Sequence, residues 1–309
     1  MIAFTFPGQG SQSVGMGKAL AGEFEICRRT FEEADEALGE PLSRLCFEGP
    51  ADQLTLTENT QPAILTVSVA AARLLQSLGV EPAFVAGHSL GEYSANVVAG
   101  TVGFADAVRT VRARGRYMQE AVPVGEGAMA AVLGLAAADV QRACEEAASG
   151  EVVSVANLNA PGQIVIAGAR EAVARASAAA KRLGARRVVP LPVSAPFHCA
   201  LMRPAEVRLA PVLRGLAASD PRVPIVANVD AEAKRDASSA IEALVRQVSA
   251  PVRWEEVVGR LAAEGVDTYV EVGPGTVLSG LTRKIHRDAR VFSFEDPSGL
   301  EAMRALARC

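Results

Sequence analysis

The chain contains, at residues 83–91, the stretch Ala83-Phe84-Val85-Ala86-Gly87-His88-Ser89-Leu90-Gly91. Its first half is a short apolar run, which is typical of a buried strand, and the residues that follow, 92–99, favour a helix. The pattern G-x-S-x-G between them puts a serine on a sharp strand-to-helix turn, with glycines that let the backbone make that turn. The helix N-terminus brings backbone N–H groups and a positive dipole end to the same oxygen. The stretch therefore predicts an α/β fold and a nucleophilic role for Ser89, against the alternative of an ordinary Ser/Gly turn.

Patterns on both sides of Ser89 predict a large body that is interrupted by a small subdomain. Residues 125–194 carry the order βαββαβ, which is the ferredoxin-like arrangement. The elements expected there are strands at 128–135, 152–158, 163–167 and 187–191, helices at 136–148 and 171–183, and a turn at 159–162. The remainder, residues 1–124 and 195–309, predicts an α/β-hydrolase-like body with a parallel sheet, including strands at 225–228 and 268–272. A cleft between the two parts is the expected substrate site.

The composition is compatible with a soluble enzyme. The formal net charge is −4, which gives no reason to expect a nucleic acid as partner. No apolar run approaches the roughly 20 residues of a membrane span, and residues 1–6 are typical of a strand rather than a signal peptide. Five cysteines without a C-x-x-C pair favour reduced thiols in a cytoplasm, and neither a metal nor a cofactor is expected. Nothing indicates an obligate interface, so we expect a monomer.

A nucleophilic serine needs a base, and the chain has three histidines. His88 directly precedes Ser89, and on a strand that leads into a turn its side chain should point away from the serine. His286 lies in the basic stretch 283–287, which is typical of a solvated helix face. His198 follows an apolar strand end where the small subdomain returns to the body, and such loops often carry catalytic groups. His198 is therefore the favoured base, with His286 and His88 as alternatives.

A predicted helix over 108–119 carries four arginines, Arg109, Arg112, Arg114 and Arg116. Most arginines in such a pattern are solvated. Periodicity alone does not select one of them as a substrate-binding group.

Six segments of the chain resemble the malonyl-CoA:acyl carrier protein transacylases, a family that includes discrete and excised acyltransferases of polyketide synthases. They are FPGQGSQ at 6–12, GHSLGEY at 87–93, RGRYMQ at 114–119, NLNAPGQ at 157–163, FHCALM at 197–202 and EVGPG at 271–275. They follow the family's order over nearly the whole chain. The resemblance implies transfer of a malonyl group from malonyl-CoA to the phosphopantetheine thiol of an acyl carrier protein, in fatty-acid or polyketide synthesis.

The resemblance also implies roles for the matching residues. Ser89 would be the nucleophile and His198 the base. A backbone carbonyl near Gln247 would orient the imidazole, and the Gln247 side chain would line the site. Arg114 would bind the malonyl carboxylate, a task that suits a guanidinium because it can donate two parallel hydrogen bonds.

The remaining implied site residues surround this group. The backbone N–H groups of Gln9 and Leu90 would form the oxyanion hole. His88 and Asn159 would support the cleft, with purely structural hydrogen bonding as the alternative. Phe197 would crowd the α-carbon of the acyl group together with Leu90 and disfavour a methylmalonyl unit, with a core aromatic as the alternative.

Three other functions are open. An esterase of the α/β-hydrolase type would use Ser89, Asp267 and His286, but no H-G-G-G segment is present and the small subdomain would be unexplained. An acyl hydrolase on the transacylase fold would keep Ser89 and His198 but has no evident need for Arg114. An inactive carrier-docking module is disfavoured by the intact serine, histidine and glutamine motifs.

An acidic carrier protein would need a basic surface on this chain. Two clusters qualify, residues 181–182 with 186–187, and residues 283–284 with 287. The first is favoured because it belongs to the small subdomain, which we expect to form one wall of the cleft. For each cluster the alternative is a solvated face.

Overall fold

The computed structural model describes residues 1–307, which contain ten strands and fourteen α-helices. The strands are β1 (Ile2–Phe6), β2 (Phe84–Gly87), β3 (Gly127–Leu133), β4 (Val153–Ala160), β5 (Gln163–Ala169), β6 (Arg187–Pro190), β7 (Ile225–Val226), β8 (Ala233–Lys234), β9 (Thr268–Val272) and β10 (Arg290–Phe294). The helices are α1 (Lys18–Glu23), α2 (Glu25–Leu38), α3 (Leu42–Glu48), α4 (Ala51–Thr55), α5 (Thr57–Ser77), α6 (Gly91–Val98), α7 (Phe104–Glu120), α8 (Ala137–Ala148), α9 (Arg170–Arg182), α10 (Arg203–Arg214), α11 (Ala237–Gln247), α12 (Trp254–Ala263), α13 (Val277–Ile285) and α14 (Leu300–Leu306).

The larger of two sheets has the strand order β10-β9-β1-β2-β7-β8. Its first five strands run parallel, and β8 pairs with β7 antiparallel at the edge. The interior strand β9 is buried along its whole length, as expected of a parallel sheet that helices cover on both faces. Phe6 pairs with Gly87, so the segments that leave β1 and β2 start side by side. This register brings the loop after β1 next to the turn that carries Ser89.

The smaller sheet is antiparallel, with the order β4-β5-β3-β6. Helices α8 and α9 pack against each other and against this sheet. Together they enclose a separate core that includes Val132, Val140, Ile166 and Val173. The chain is therefore a mixed α/β protein with one mostly parallel and one antiparallel sheet.

The long helix α5 lies at the centre of the larger unit. It contacts α2, α6 and α7 and the strand β9, and most of its residues are buried. A helix buried on nearly all sides is typical of a protein core. It forms a rigid support against which α6 and α7, on either side of the Ser89 region, are positioned.

The predicted elements around Ser89 and in residues 125–194 are present, with ends that shift by one or two residues. Two predictions at strand ends were wrong. Asn159 and Ala160 continue β4, so only residues 161–162 connect it to β5, and the shifted register between Leu158 and Ala160 accommodates the longer strand. Strand β7 ends at Val226, because Asn228 turns its hydrogen-bonding groups to the Ser89 turn.

The cysteines of the described chain, Cys27, Cys46, Cys144 and Cys199, are free and buried. Burial raises the pKa of each thiol, so none of the four is an activated nucleophile. Cys309 lies outside the described residues. Over residues 1–307, no helix combines the length and the hydropathy required to cross a membrane.

Candidate active site

Ser89 occupies a strained turn between β2 and α6. Its φ of 53° lies in the left-handed region, which is costly for a non-glycine residue and is often found at functional sites. A Cβ at Gly87 would lie 1.9 Å from the carbonyl carbon of Gly91, and a Cβ at Gly91 would lie 2.0 Å from the carbonyl oxygen of Phe6. Both glycines of the G-x-S-x-G pattern are therefore required by the packing of this turn.

Asn228, just beyond β7, fixes the turn from behind. Its Oδ1 accepts a hydrogen bond from the Ser89 backbone N–H at 2.7 Å, and its Nδ2 donates to the Gly87 carbonyl oxygen at 2.7 Å. The asparagine is fully buried, where an unmatched polar group is expensive. One side chain therefore stabilises the strained backbone that leads into the serine.

His198 forms a hydrogen bond with the Ser89 hydroxyl, with 2.7 Å between Nε2 and Oγ. Its other ring nitrogen, Nδ1, faces the carbonyl oxygens of Gln247 at 3.1 Å and Ala250 at 3.2 Å. Because carbonyl oxygens only accept, Nδ1 carries the ring proton and Nε2 presents its lone pair to the hydroxyl. Two backbone carbonyls thus orient the imidazole in place of a carboxylate.

Burial keeps His198 uncharged at neutral pH. Desolvation, followed by the electrostatic effects of Arg114 and His88, lowers its pKa to about 3, although the bonds to the two backbone carbonyls act in the opposite direction. A neutral imidazole can accept a proton from the serine hydroxyl. The geometry and the charge state together suit Ser89 to nucleophilic attack and His198 to proton transfer.

The other two histidines have different partners. His88 Nε2 and Asn159 Oδ1 lie 2.9 Å apart, so the two residues expected to support the cleft are bonded to each other. Burial lowers the pKa of His88. His286, which caps the end of α13, has its Nδ1 3.1 Å from the Tyr269 hydroxyl.

Asp267, the carboxylate of the alternative esterase triad, binds the N-terminal amine at 3.0 Å. His286 bonds to a tyrosine and Ser89 to His198. The described chain therefore does not assemble Ser89, Asp267 and His286 into a triad.

Arg114 is the arginine of α7 that reaches the serine. Its Nη2 donates to Ser89 Oγ at 3.2 Å and to Gln247 Oε1 at 2.9 Å, and its Nη1 donates to Gln61 Oε1 at 2.8 Å. The residue is only 1% exposed. All three acceptors are neutral. Within residues 1–307 the guanidinium has no carboxylate partner, and its buried Nε has no hydrogen-bond acceptor.

The remaining arginines of this helix form ion pairs and hydrogen bonds away from Ser89. Arg109 pairs with Asp106, Arg116 lies near Glu120, and Arg112 binds Glu40 and Asn59. The local packing explains why Arg114 alone points inward: a Cβ at Gly115 would lie 2.7 Å from the Thr57 carbonyl oxygen. The glycine allows α7 to approach α5 closely at this level, and the preceding arginine is buried as a result.

A cavity of about 610 Å³ opens in front of Ser89. Its walls include Arg114 and His198. The apolar part of the wall comes from both the larger unit and the region of the smaller sheet and consists of Leu90, Met118, Met129, Val193 and Phe197. Asn157 also lines it, whereas Asn159 and Gln247 do not reach the wall. The Gln247 side chain instead lies behind Ser89 and bonds to its carbonyl oxygen at 2.8 Å.

The two N–H groups expected to bind an oxyanion are available. Gln9 and Leu90 both line the cavity, and their backbone N–H groups find no acceptor among the residues that the structure describes. Leu90 directly follows the serine and precedes α6, so its N–H belongs to the positive end of that helix. Pre-organised N–H donors of this kind stabilise the negative oxygen of a tetrahedral intermediate.

Four residues of this arrangement were missed at the level of sequence. They are Gln61, Glu92, Asn228 and Ala250. Glu92 alone carried a signal, since it is a carboxylate in the first turn of the helix that follows the candidate serine. The other three lie on segments whose approach to Ser89 is a property of the tertiary fold.

Comparison with known proteins gives a single family over most of the chain. Residues 3–293 match the acyl transferase domain family. The chain is 53% identical over 306 residues to the malonyl CoA-acyl carrier protein transacylase of Escherichia coli (strain K12), and the alignment covers 99% of both chains.

Solved structures agree with this match. An acyl carrier protein S-malonyltransferase from Vibrio cholerae O1 biovar eltor str. N16961 has a TM-score of 0.96 and 49% identity, with coverage of 97% of this chain and 99% of that one. A malonyl-transacylase in complex with its type II PKS acyl-carrier protein has a TM-score of 0.96 and 47% identity, with coverage of 98% and 99%.

Proposed function

The chain belongs to the acyl transferase family, and on that basis we propose that it transfers a malonyl group from malonyl-CoA to the phosphopantetheine thiol of an acyl carrier protein. One observation carries the proposal. The Ser89 hydroxyl oxygen lies 2.7 Å from the His198 base and 3.2 Å from the buried Arg114 guanidinium. A nucleophile, its base and a cation suited to a free carboxylate therefore meet at one oxygen.

The first half-reaction forms a malonyl ester of Ser89. Nε2 of His198 takes the hydroxyl proton as Oγ attacks the thioester carbonyl carbon, and the carbonyl oxygen becomes an oxyanion. The backbone N–H groups of Gln9 and Leu90 stabilise this charge, at about 3 kcal/mol for each donor. When the intermediate collapses, the carbon–sulfur bond breaks and His198 returns its proton to the CoA thiolate.

The second half-reaction repeats these steps with the carrier's thiol. His198 takes the thiol proton, the sulfur attacks the malonyl-serine ester, and the same two N–H groups bind the oxyanion. Collapse releases malonyl-carrier and returns the proton to Ser89. The walls of the cavity must exclude water from the ester between the two halves.

Arg114 binds the malonyl carboxylate in both halves. Its guanidinium is buried among neutral acceptors, so no protein carboxylate competes with that of the substrate. A guanidinium can donate two parallel hydrogen bonds to a carboxylate. Leu90 and Phe197, which both line the cavity, limit the space at the α-carbon and disfavour a methylmalonyl group.

The acidic carrier docks on a basic edge formed by residues of both sequence clusters. We define this edge as Lys181, Arg182, Arg186, Arg187, Arg283, Lys284 and Arg287, all of which are exposed. Gly134 packs against Arg186 and donates its N–H to the Gly162 carbonyl oxygen at 2.7 Å, and the next residue, Gln163, accepts from Lys284 Nζ at 2.9 Å. These contacts support one continuous surface, and the complex of a similar malonyl-transacylase with its carrier supports the class of partner.

The proposal extends to the organisation of the chain. We assign residues 1–124 and 195–309 to an α/β-hydrolase-like catalytic body and residues 125–194 to a ferredoxin-like subdomain, on the basis of the two sheets and their separate cores. The enzyme acts as a monomer, since one chain supplies every residue of the site. The free, buried cysteines support a cytoplasmic location.

Mass spectrometry after brief mixing with malonyl-CoA tests the function. We expect the mass to rise by one malonyl group, on Ser89, and to return to its starting value when a holo acyl carrier protein is added. Ser89→Ala should abolish both the adduct and the transfer. An adduct on Cys199 would contradict the assignment of the nucleophile, and release of free malonate at the same rate with and without carrier would identify a hydrolase instead.

A further inference from the structure

Glu92 is a buried carboxylate that the proposed reaction does not use. It lies on the first turn of α6, is 1% exposed, and does not line the cavity. Its Oε2 accepts two hydrogen bonds, from Gln247 Nε2 at 2.9 Å and from the Asn228 backbone N–H at 2.9 Å. Burying a carboxylate costs desolvation free energy, so we expect the hydrogen bonds that Glu92 accepts to have a role in the site.

The two residues bonded to Glu92 contact every reactive group. Gln247 accepts from Arg114 through Oε1, and its backbone oxygen accepts from His198. Asn228 accepts from the Ser89 backbone N–H. Glu92 is thus one residue removed from the nucleophile, the base and the arginine.

The chemistry of these bonds fixes one orientation of the Gln247 amide. A carboxylate oxygen accepts and an arginine only donates, so the amide must turn its NH₂ group to Glu92 and its oxygen to Arg114. The reversed amide would direct N–H groups at the guanidinium. Burial raises the pKa of Glu92 to about 7, while bonds from Gln247 and Asn228 and the charge of Arg114 act against this shift. Its protonated form still offers an acceptor oxygen.

We propose that Glu92 is a positioning residue: by accepting hydrogen bonds from Gln247 and Asn228, it holds Arg114 and the Ser89 turn in their reactive geometry. The inference rests on the proposed function for its effect on malonyl transfer. Its effect on the reactivity of Ser89 depends only on the described hydrogen bonds.

Two variants of similar volume separate the acceptor from the charge. Glu92→Gln removes the charge but keeps an acceptor oxygen, whereas Glu92→Met removes both. Glu271→Met is the matched control, because Glu271 is also 1% exposed and accepts two backbone hydrogen bonds, from Leu278 and Ser279. That carboxylate binds the first turn of α13, and within residues 1–307 it forms no hydrogen bond with the residues around Ser89.

Two readouts are measured for each protein. One is the labelling rate of Ser89 by a fluorophosphonate, which needs the activated serine but no malonyl group. The other is kcat/KM for malonyl transfer. We expect Glu92→Met to lower labelling about tenfold and malonyl transfer about 100-fold, because the arginine is also displaced. Glu92→Gln and Glu271→Met should remain within about threefold of the wild type in labelling.

The outcomes distinguish the inference from the proposed function. A wild type that is labelled but never malonylated would disprove the function, and the labelling series would still decide the role of Glu92. Wild-type labelling of Glu92→Met, equal losses in Glu92→Gln and Glu92→Met, or equal losses in Glu92→Met and Glu271→Met would each overturn the positioning role. If Glu92→Met does not fold, Glu92→Asp, which withdraws the acceptor by one methylene, should label slowly, and wild-type labelling would overturn the inference.

Discussion

Ser89 and His198 both have left-handed backbones, with φ values of 53° and 59°, and their side chains meet at 2.7 Å. Such a conformation costs a non-glycine residue on the order of 1 kcal/mol or more and persists only where neighbouring groups enforce it. For the serine the enforcing groups are the two ends of the Asn228 side chain. For the histidine, the Gln247 and Ala250 carbonyls fix the ring. The proposed nucleophile and base are therefore pre-organised.

His198 and the alternative base His286 give opposite expectations. His198→Ala should lower malonylation of Ser89 by roughly 1,000-fold or more, since an unassisted hydroxyl is a poor nucleophile. His286→Ala should leave most of the activity, because its contact is with Tyr269. Rapid-quench mass spectrometry of both variants, with thermal unfolding as the folding control, measures this. The reverse ranking would favour the esterase triad.

The pH dependence of acylation follows from the lowered pKa of His198. Only the neutral imidazole accepts a proton, and burial keeps this form present until the pH falls to about 3. The rate of Ser89 malonylation should therefore stay nearly flat from pH 8 to pH 5 and fall only below that range. Stopped reactions in a constant-ionic-strength buffer, with circular dichroism to confirm folding, measure the profile. A falling limb centred near about 6.5, the ordinary histidine value, would show that the ring is not desolvated in the enzyme.

Arg114 should control which acyl group is transferred. Arg114→Ala is expected to lower kcat/KM for malonyl-CoA roughly 100-fold and to leave or raise that for acetyl-CoA, because of the two acyl groups only malonyl carries a carboxylate for the guanidinium to bind. Arg114→Lys should recover little, since lysine cannot donate the paired bonds. Arg116→Ala, on the exposed side of the same helix, is the control. Equal losses for malonyl and acetyl groups would assign the arginine to the chemical step alone.

The basic edge should govern the second half-reaction only. Arg186→Glu/Arg187→Glu is expected to raise the apparent KM for carrier about tenfold and to reduce its salt dependence, because surface charge mainly steers association. Malonylation of Ser89 by malonyl-CoA should be unchanged. Arg28→Glu/Arg29→Glu on α2, where both arginines are exposed, is the control for net charge. Carrier kinetics that match the wild type in both magnitude and salt dependence would exclude this part of the edge as the dock.

Local sequence predicted the elements that have local causes. The strand-turn-helix at Ser89 follows from an apolar run and two glycines, and β9 follows from the strand-forming run Thr268–Val272 before Gly273. The two-residue strand β8 was not predicted, because its only support is its pairing with β7. The end of β4 was misplaced because Asn159 and Ala160 are typical of a turn, and the sequence pattern does not show that pairing with β5 continues to Ala160.

The site was predictable only where a motif identified it. Helical periodicity did not separate Arg114 from its neighbours, because the close approach of α7 to α5 at Gly115 is what buries it. The family resemblance selected it instead. Asn228 lies 139 residues from Ser89 in the chain, and no local pattern reports a contact over such a separation. The same holds for Gln61 and Ala250.

The segment that leaves β6 forms part of the cavity wall with Val193 and Phe197 and then ends at His198. The same segment therefore shapes the acyl-binding wall and positions the proposed base. We expect a substitution that enlarges the wall here to shift the imidazole as well, so that broader acyl specificity obtained through this segment lowers turnover. Directed evolution towards bulkier extender units should begin at Met129 on β3, which lines the same cavity but lies on a strand that does not lead directly to the base.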